Sequence, residues 1–141
     1  DRDTLEREFM RASFDSNNPA KFLLSHYENN LRDDLEITSP QKVQLEHILP
    51  ENPSREEWPN WGEEDKDVLT ARLGNMCLLL DSDNISISNH GFETKKEAYA
   101  RSSLALTKDL IENDNWGAEE VNERQSALFS NMLEVWNIDN L

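Results

Sequence analysis

Cysteine is nearly missing from this chain: Cys77 stands alone among 141 residues. A lone thiol excludes an internal disulfide framework and fits a reducing compartment. Without CxxC pairs, the chain also lacks a cysteine-based structural zinc site, and Cys77 reads as a core residue. Long apolar runs are missing too. No stretch approaches the roughly 20 residues that a membrane span needs, and no signal peptide opens the sequence. Repeats and low-complexity tracts are absent. These absences predict a single domain over residues 1–141, located in a reducing, cytoplasmic compartment, with no membrane partner. The opening stretch "DTLEREFMRASF" reads as a helix with no initiator methionine, which predicts a C-terminal fragment of a longer protein.

Positive charge is the other scarcity. Lys and Arg number 14 against 29 Asp and Glu, for a net charge of −15. Duplex DNA carries one negative charge per about 1.7 Å of its axis, so tight nonspecific binding by such a chain is disfavoured. Screening limits that objection, because exposed charges more than about 8 Å apart hardly interact at physiological salt. A local basic face or a neighbouring domain can still hold an acidic chain on DNA.

What is present reads as α+β, mostly α. Residues 4–14 predict a helix with Leu5, Phe9 and Ala12 on one face. Asn17 or Asn18 caps a second helix, with Pro19 in its first turn, running to about residue 32 with Phe22, Leu23, Tyr27 and Leu31 at helical spacing. "KVQLEHI" (42–48) alternates as a strand, and "NMCLLL" (75–80), after Gly74, reads as a second short strand. Between them, residues 50–65 hold three prolines, Trp58 and Trp61 in an ordered loop, followed by a short helix over 64–72. Residues 81–91 are polar and turn-like. A helix is predicted over 92–112, with Phe92, Tyr99, Leu106 and Leu110 on one face. A last helix over 118–136 carries Val121, Leu128, Phe129, Met132 and Trp136.

The chemistry centres on "LEHILP" (45–50). His47, with an ordinary pKa near 6.5, can accept a proton at neutral pH. Glu46 offers a hard oxygen suited to Mg²⁺. Strand neighbours point to opposite faces, so the two reach one site only where the strand twists or ends, as Pro50 suggests. Taken alone, "EH" is more often structural than catalytic. Downstream, "LGNMCLLLDSDNISISN" (73–89) adds Asn75, Asn84 and Asn89, whose carbonyls are neutral metal ligands but which also suit turns.

Together, "EHILP", "GNMCLLL" and "DSDN" resemble the HNH (His-Me finger) nuclease motif. The order "EHILP", Trp58 and Trp61, "LGNMCLLL", "NISISNHGFETKK", Trp116 and Arg124 resembles more closely the C-terminal nuclease domain of GmrSD-type, modification-dependent restriction enzymes of phage defence. The resemblance covers roughly residues 20–136. It implies a ββα-metal finger embedded among flanking helices. It implies His47 as general base and Asn75 as the middle Asn that holds the finger and orients His47. Glu46 and Asn84 would share one Mg²⁺ or Mn²⁺. It further implies double-stranded DNA as substrate and an N-terminal NTPase or sensor domain of the same protein as partner. His90 stands where the family often has lysine.

Around this set, Asn89, His90, Lys95, Lys96 and Arg124 are candidate site or phosphate contacts. Asn89 reads equally as a turn residue, His90 as an exposed turn residue, Lys95 and Lys96 as a solvated face, and Arg124 as half of a structural pair. The four tryptophans read as core or loop anchors, and His26 as structural. A second reading stays open: a catalytically silent acidic module that mimics DNA or docks a basic partner.

Overall fold

Two short strands, one alternating and one apolar throughout, organise the centre of the molecule. The computed structural model describes residues 1–31, 42–87 and 89–137. Strand β1 (Val43–His47) pairs antiparallel with β2 (Met76–Leu80), with Val43 opposite Leu80, Glu46 opposite Cys77 and His47 opposite Met76. Successive side chains alternate across a strand. Met76 and Leu78 therefore enter one apolar cluster with Val43, while Cys77 and Leu79 enter a second on the opposite face. The same alternation sends His47 to the face of Val43 and Leu45, and Glu46 to the other.

Among the described residues, six α-helices surround this pair: α1 (Arg2–Arg11), α2 (Asn17–Leu31), α3 (Glu63–Thr70), α4 (Phe92–Tyr99), α5 (Ala105–Lys108) and α6 (Ala118–Val135). The expected end of α2 at residue 32 lies just outside the described residues. The first cluster packs α1, α2 and α6 on the sheet through Phe9, Leu24, Tyr27, Leu128 and Phe129. The second packs α4 and the tryptophan loop through Phe92, Tyr99, Trp58 and Trp116. The fold is thus α+β and mostly helical.

Two expectations change. The stripe read on α2 is rotated: Ala20, Leu24, Tyr27 and Glu28 are buried, while Phe22 (54% exposed) and Leu31 (51%) face outward. The continuous helix over 92–112 is broken after Tyr99. Serine side chains compete for backbone groups at the break. Ser102 Oγ accepts from Leu104 N at 3.0 Å, and Ser103 donates to the Asp83 carboxylate. The buried Glu28 carboxylate then accepts from Ala105 N and Leu106 N, at 2.9 and 3.0 Å, and so starts α5 in a new direction.

The turn that launches β2, a 3₁₀ helix over Leu73–Asn75, is pressed directly on α6. A β-carbon on Gly74 would lie 2.4 Å from the Val121 carbonyl oxygen and 3.0 Å from Gln125 N. Both are backbone atoms, which cannot swing aside. Gly74→Ala is therefore expected to destabilise the protein by about 1–3 kcal/mol, the usual cost of overpacking. Urea unfolding followed by circular dichroism measures it.

Candidate active site

Pro50 ends the chain's extended run just past β1, and the backbone there is held from two sides. From α4, Lys95 reaches in with no exposed surface. Its ammonium lies 2.8 Å from the His47 carbonyl oxygen, 2.9 Å from that of Ile48 and 3.1 Å from Glu46 Oε2. An ammonium has three donors, and each finds an acceptor. Tyr99, one helical turn along α4, donates from its hydroxyl to Glu46 Oε2 at 2.8 Å. Burial pushes the Glu46 carboxyl above its ordinary pKa, and Lys95 and the Tyr99 hydrogen bond pull it back down.

From the other side comes Asn75, wholly buried. Its side-chain oxygen accepts from Leu49 N at 2.9 Å, and its amide donates to Leu49 O at 3.0 Å and Thr70 O at 3.2 Å. Its own carbonyl accepts from Ile48 N at 2.9 Å. Trp116 Nε1 donates to the Asn75 side-chain oxygen at 2.9 Å. The turn carrying Asn75 is in turn fixed by α6. Arg124 donates to the carbonyls of Gly74 and Met76, and Gln125 bridges Gly74 N and Phe9 O.

Between these clamps, the His47 ring is 20% exposed and lines an open concavity of about 370 Å³ with Phe14, Asp15, Glu51, Asn52, Asp67, Thr70 and Ala71. Its Nε2 lies 3.7 Å from Glu51 Oε1. Burial lowers the imidazole's pKa from 6.5. Glu51 pulls it upward and Lys95 pushes it down further. The net shift favours the neutral, proton-accepting form of the ring.

The remaining expected site residues lie elsewhere. Asn84 is exposed, in a left-handed turn (φ 54°, ψ 44°) that Asn tolerates well. It lines a separate concavity of about 280 Å³ with Gln44, Asp81 and Ser86. That concavity sits at the Val43–Leu80 end of the hairpin, four strand residues or roughly 13 Å from the His47 end. Glu46 and Asn84 line no common cavity, and the Glu46 carboxylate is committed to Lys95 and Tyr99. Among the described residues, no three His, Cys, Asp or Glu side chains group closely enough to hold a metal ion. In this arrangement the Glu46–Asn84 pair does not fit a shared Mg²⁺ or Mn²⁺.

Asn89 and His90 are exposed. Lys96 places its ammonium 5.7 Å from the Phe92 ring centre. Lys95 is neither a solvated cation nor a surface phosphate contact, and Arg124 binds backbone carbonyls in place of an acid. A further cleft of about 410 Å³, lined by Trp58, Trp61, Phe92 and Trp116, opens between the tryptophan loop and α4; His47 does not border it. Tyr99 and Trp116 do work that their hydrophobic pattern concealed. Only the i, i+4 spacing of Lys95 and Tyr99, which puts two polar heads on one helix face, hinted at it.

An imidazole held neutral at the rim of an open concavity, on a backbone clamped from both sides, is a site suited to hydrolysis. Residues 1–131 match the family described as GmrSD restriction endonucleases, C-terminal domain, and the chain belongs to that family. No curated protein matches it. Among the described residues, no helix is long and apolar enough to cross a membrane.

Lys95→Met would leave the Glu46 carboxylate buried without its cation. The expected loss is about 3–5 kcal/mol, with the double variant Glu46→Leu/Lys95→Met recovering much of it. A double-mutant cycle of urea midpoints checks this. Trp116→Phe removes one donor to Asn75 and leaves a smaller ring in a buried position, for an expected loss of about 1–3 kcal/mol by the same measurement.

Proposed function

We propose that this chain is the DNA-cleaving domain of a restriction enzyme, with a His-Me finger formed by β1, β2 and α4 and with His47 as its general base. The observation that carries the reading is the state of His47. Its imidazole is half-buried, it borders an open concavity, and the backbone of residues 47–49 is pinned by Lys95 and Asn75. Family membership supports the nuclease class.

In the proposed reaction, the neutral His47 ring removes a proton from a water molecule poised beside a DNA phosphate. The resulting hydroxide attacks phosphorus, and the P–O bond to the leaving sugar oxygen breaks. Fixing the backbone fixes the ring, and a base held in place works without reorganising during proton transfer. The Glu51 carboxylate, 3.7 Å from Nε2, stabilises the imidazolium once it forms. Asn75 acts as a positioning residue. No step is routed through a metal, because Glu46 and Asn84 do not meet. Duplex DNA of foreign or phage origin is the proposed substrate, cut on one or both strands. An N-terminal NTPase or sensor domain of the same protein would select it.

A plasmid-nicking assay run in Mg²⁺ and in Mn²⁺ tests the reading. Wild type should relax supercoiled plasmid, and His47→Ala should lose about 100-fold or more. If neither protein cuts while circular dichroism shows both folded, the acidic-module reading replaces this one. The pH profile gives an independent check. A depressed imidazole pKa means that the associated stability is present above the ordinary value of 6.5 and is lost as pH falls through the folded value. Wild type should therefore lose stability on acidification below pH 6.5 more steeply than His47→Gln, and cleavage should fall on an acid limb whose midpoint lies below 6.5.

A further inference from the structure

The His47 concavity offers a DNA strand little grip. Asp15, Glu51 and Asp67 line it, and among the described residues no lysine or arginine does. A phosphate held only there meets charges of its own sign.

A second concavity, of about 450 Å³, adjoins it. The chain passes from one to the other twice. Asn52 lines the first and Pro53 the second; on α3, Asp67 lines the first and Lys66 the second. The charged lining of this second concavity is Arg55 and Lys66, with no carboxylate among the described residues. In a chain with 29 acids and 14 bases, that sign runs against composition. Trp58 and Trp61 supply its apolar wall.

These groups sit on a stiff frame. Ser54 Oγ accepts from Glu57 N at 3.2 Å and Ser54 O from Trp58 N at 2.9 Å, closing a turn that carries Arg55 and Trp58. Pro53 and Pro59 restrict the backbone on either side. Trp61 is half-buried and its Nε1 donates to Trp116 O at 2.9 Å, so the indole is held without being covered. Gly62 and Lys66, four apart at the start of α3, share one side of it. A β-carbon on Gly62 would meet nothing within 4 Å, so the concavity is open there. Trp58 also connects to the active site. The Lys95 ammonium, which holds the carbonyls of His47 and Ile48, lies 6.0 Å from its ring centre. Cationic donors beside a fixed aromatic face suit an unpaired nucleotide: the cations take phosphate oxygens, and any base can lay its face on the indole.

We propose that this concavity is a nucleotide subsite, holding a DNA phosphate on Arg55 and Lys66 and an unpaired base against Trp61, beside the phosphate presented to His47. The subsite rests on the nuclease reading and adds its substrate contact: a strand with an unstacked base next to the cut.

The test measures binding of a short fluorescent single-stranded oligonucleotide, and of the same sequence as duplex, across a series of NaCl concentrations. A His47→Ala background keeps the DNA intact. The single strand should bind more tightly, because only an unpaired base reaches Trp61. Arg55→Gln/Lys66→Gln should weaken single-strand binding about tenfold at low salt. It should flatten the slope of log K against log salt by about 0.7, the share of one phosphate contact on a single strand. Trp61→Ala should weaken binding about fivefold or more without changing the slope, and Trp61→Phe should restore most of the loss. Should those variants fail to fold, Gly62→Glu decides: it sets a carboxylate in open space and should weaken binding while the fold is kept. Unchanged affinity and slope in these variants overturn the subsite and leave the nuclease reading standing if wild type still nicks plasmid. A flattened slope in the glutamine variant with Trp61→Ala inert also overturns it, since a phosphate contact without a base contact is no nucleotide subsite. A parent protein that neither binds DNA nor nicks plasmid overturns both.

Discussion

The interaction on which the site depends is the buried ammonium of Lys95. It has no contact with solvent, so each of its protons must find a protein acceptor or the charge becomes very costly. Glu46 Oε2 and the carbonyls of His47 and Ile48 are those acceptors. Two of the three belong to the backbone, and this matters mechanically. A side-chain ion pair alone can rotate with its rotamers, whereas bonds to consecutive carbonyls fix the direction in which the strand leaves the sheet. The helix α4 and the end of β1 therefore behave as one piece. Asn75 completes the constraint from the opposite side by closing both backbone groups of Leu49 with one amide.

Much of this frame was readable in the sequence, for specific reasons. Strand β1 followed from period-two alternation before Pro50 and β2 from a short apolar run after Gly74, and both match their expected ranges to within a residue. Helices α1 and α6 followed from apolar spacing, and α3 falls in the short helix expected over 64–72 to within two residues. The break after Tyr99 did not, because it is made by partners distant in sequence: Glu28 and Asp83 each take backbone amides near residues 103–106. The α2 face was misjudged because an aromatic at position 22 outweighed an alanine at position 20 in a pattern of hydrophobicity. Yet Ala20 is the residue that fits against the core, and Phe22 stacks outward on His26 at 4.7 Å.

The site was readable in its residue types and less so in their geometry. Sequence order singles out His47 and Asn75, since a histidine ending one strand and an asparagine just before the next come to the same end of an antiparallel pair, with Met76 opposite His47. Lys95 was hard to read because lysine is almost never fully buried. Nothing in its local sequence shows three acceptors waiting. Arg124 posed the same difficulty: its partners are carbonyls of a tight turn, and carbonyls leave no trace in side-chain composition. Asn84 reads as a ligand or as a turn residue with equal ease, and its left-handed backbone records the turn.

The pairing of Glu46 with His47 then takes on a physical meaning that adjacency alone conceals. Neighbours on a strand are divided by the sheet, so two residues that look like a catalytic couple are sent into different surroundings. On the α4 face, the carboxylate meets an ammonium and a phenol and becomes part of the anchor. On the α1 and α3 face, the imidazole meets an open concavity lined by the carboxylates of Asp15, Glu51 and Asp67. One residue holds the strand end still while the next presents an imidazole from it. The acidity of the whole chain, −15 in net charge, is thus repeated around the ring itself. At physiological salt a phosphate senses charges within about 8 Å, so the sign of the few groups around His47 governs encounter far more than the total.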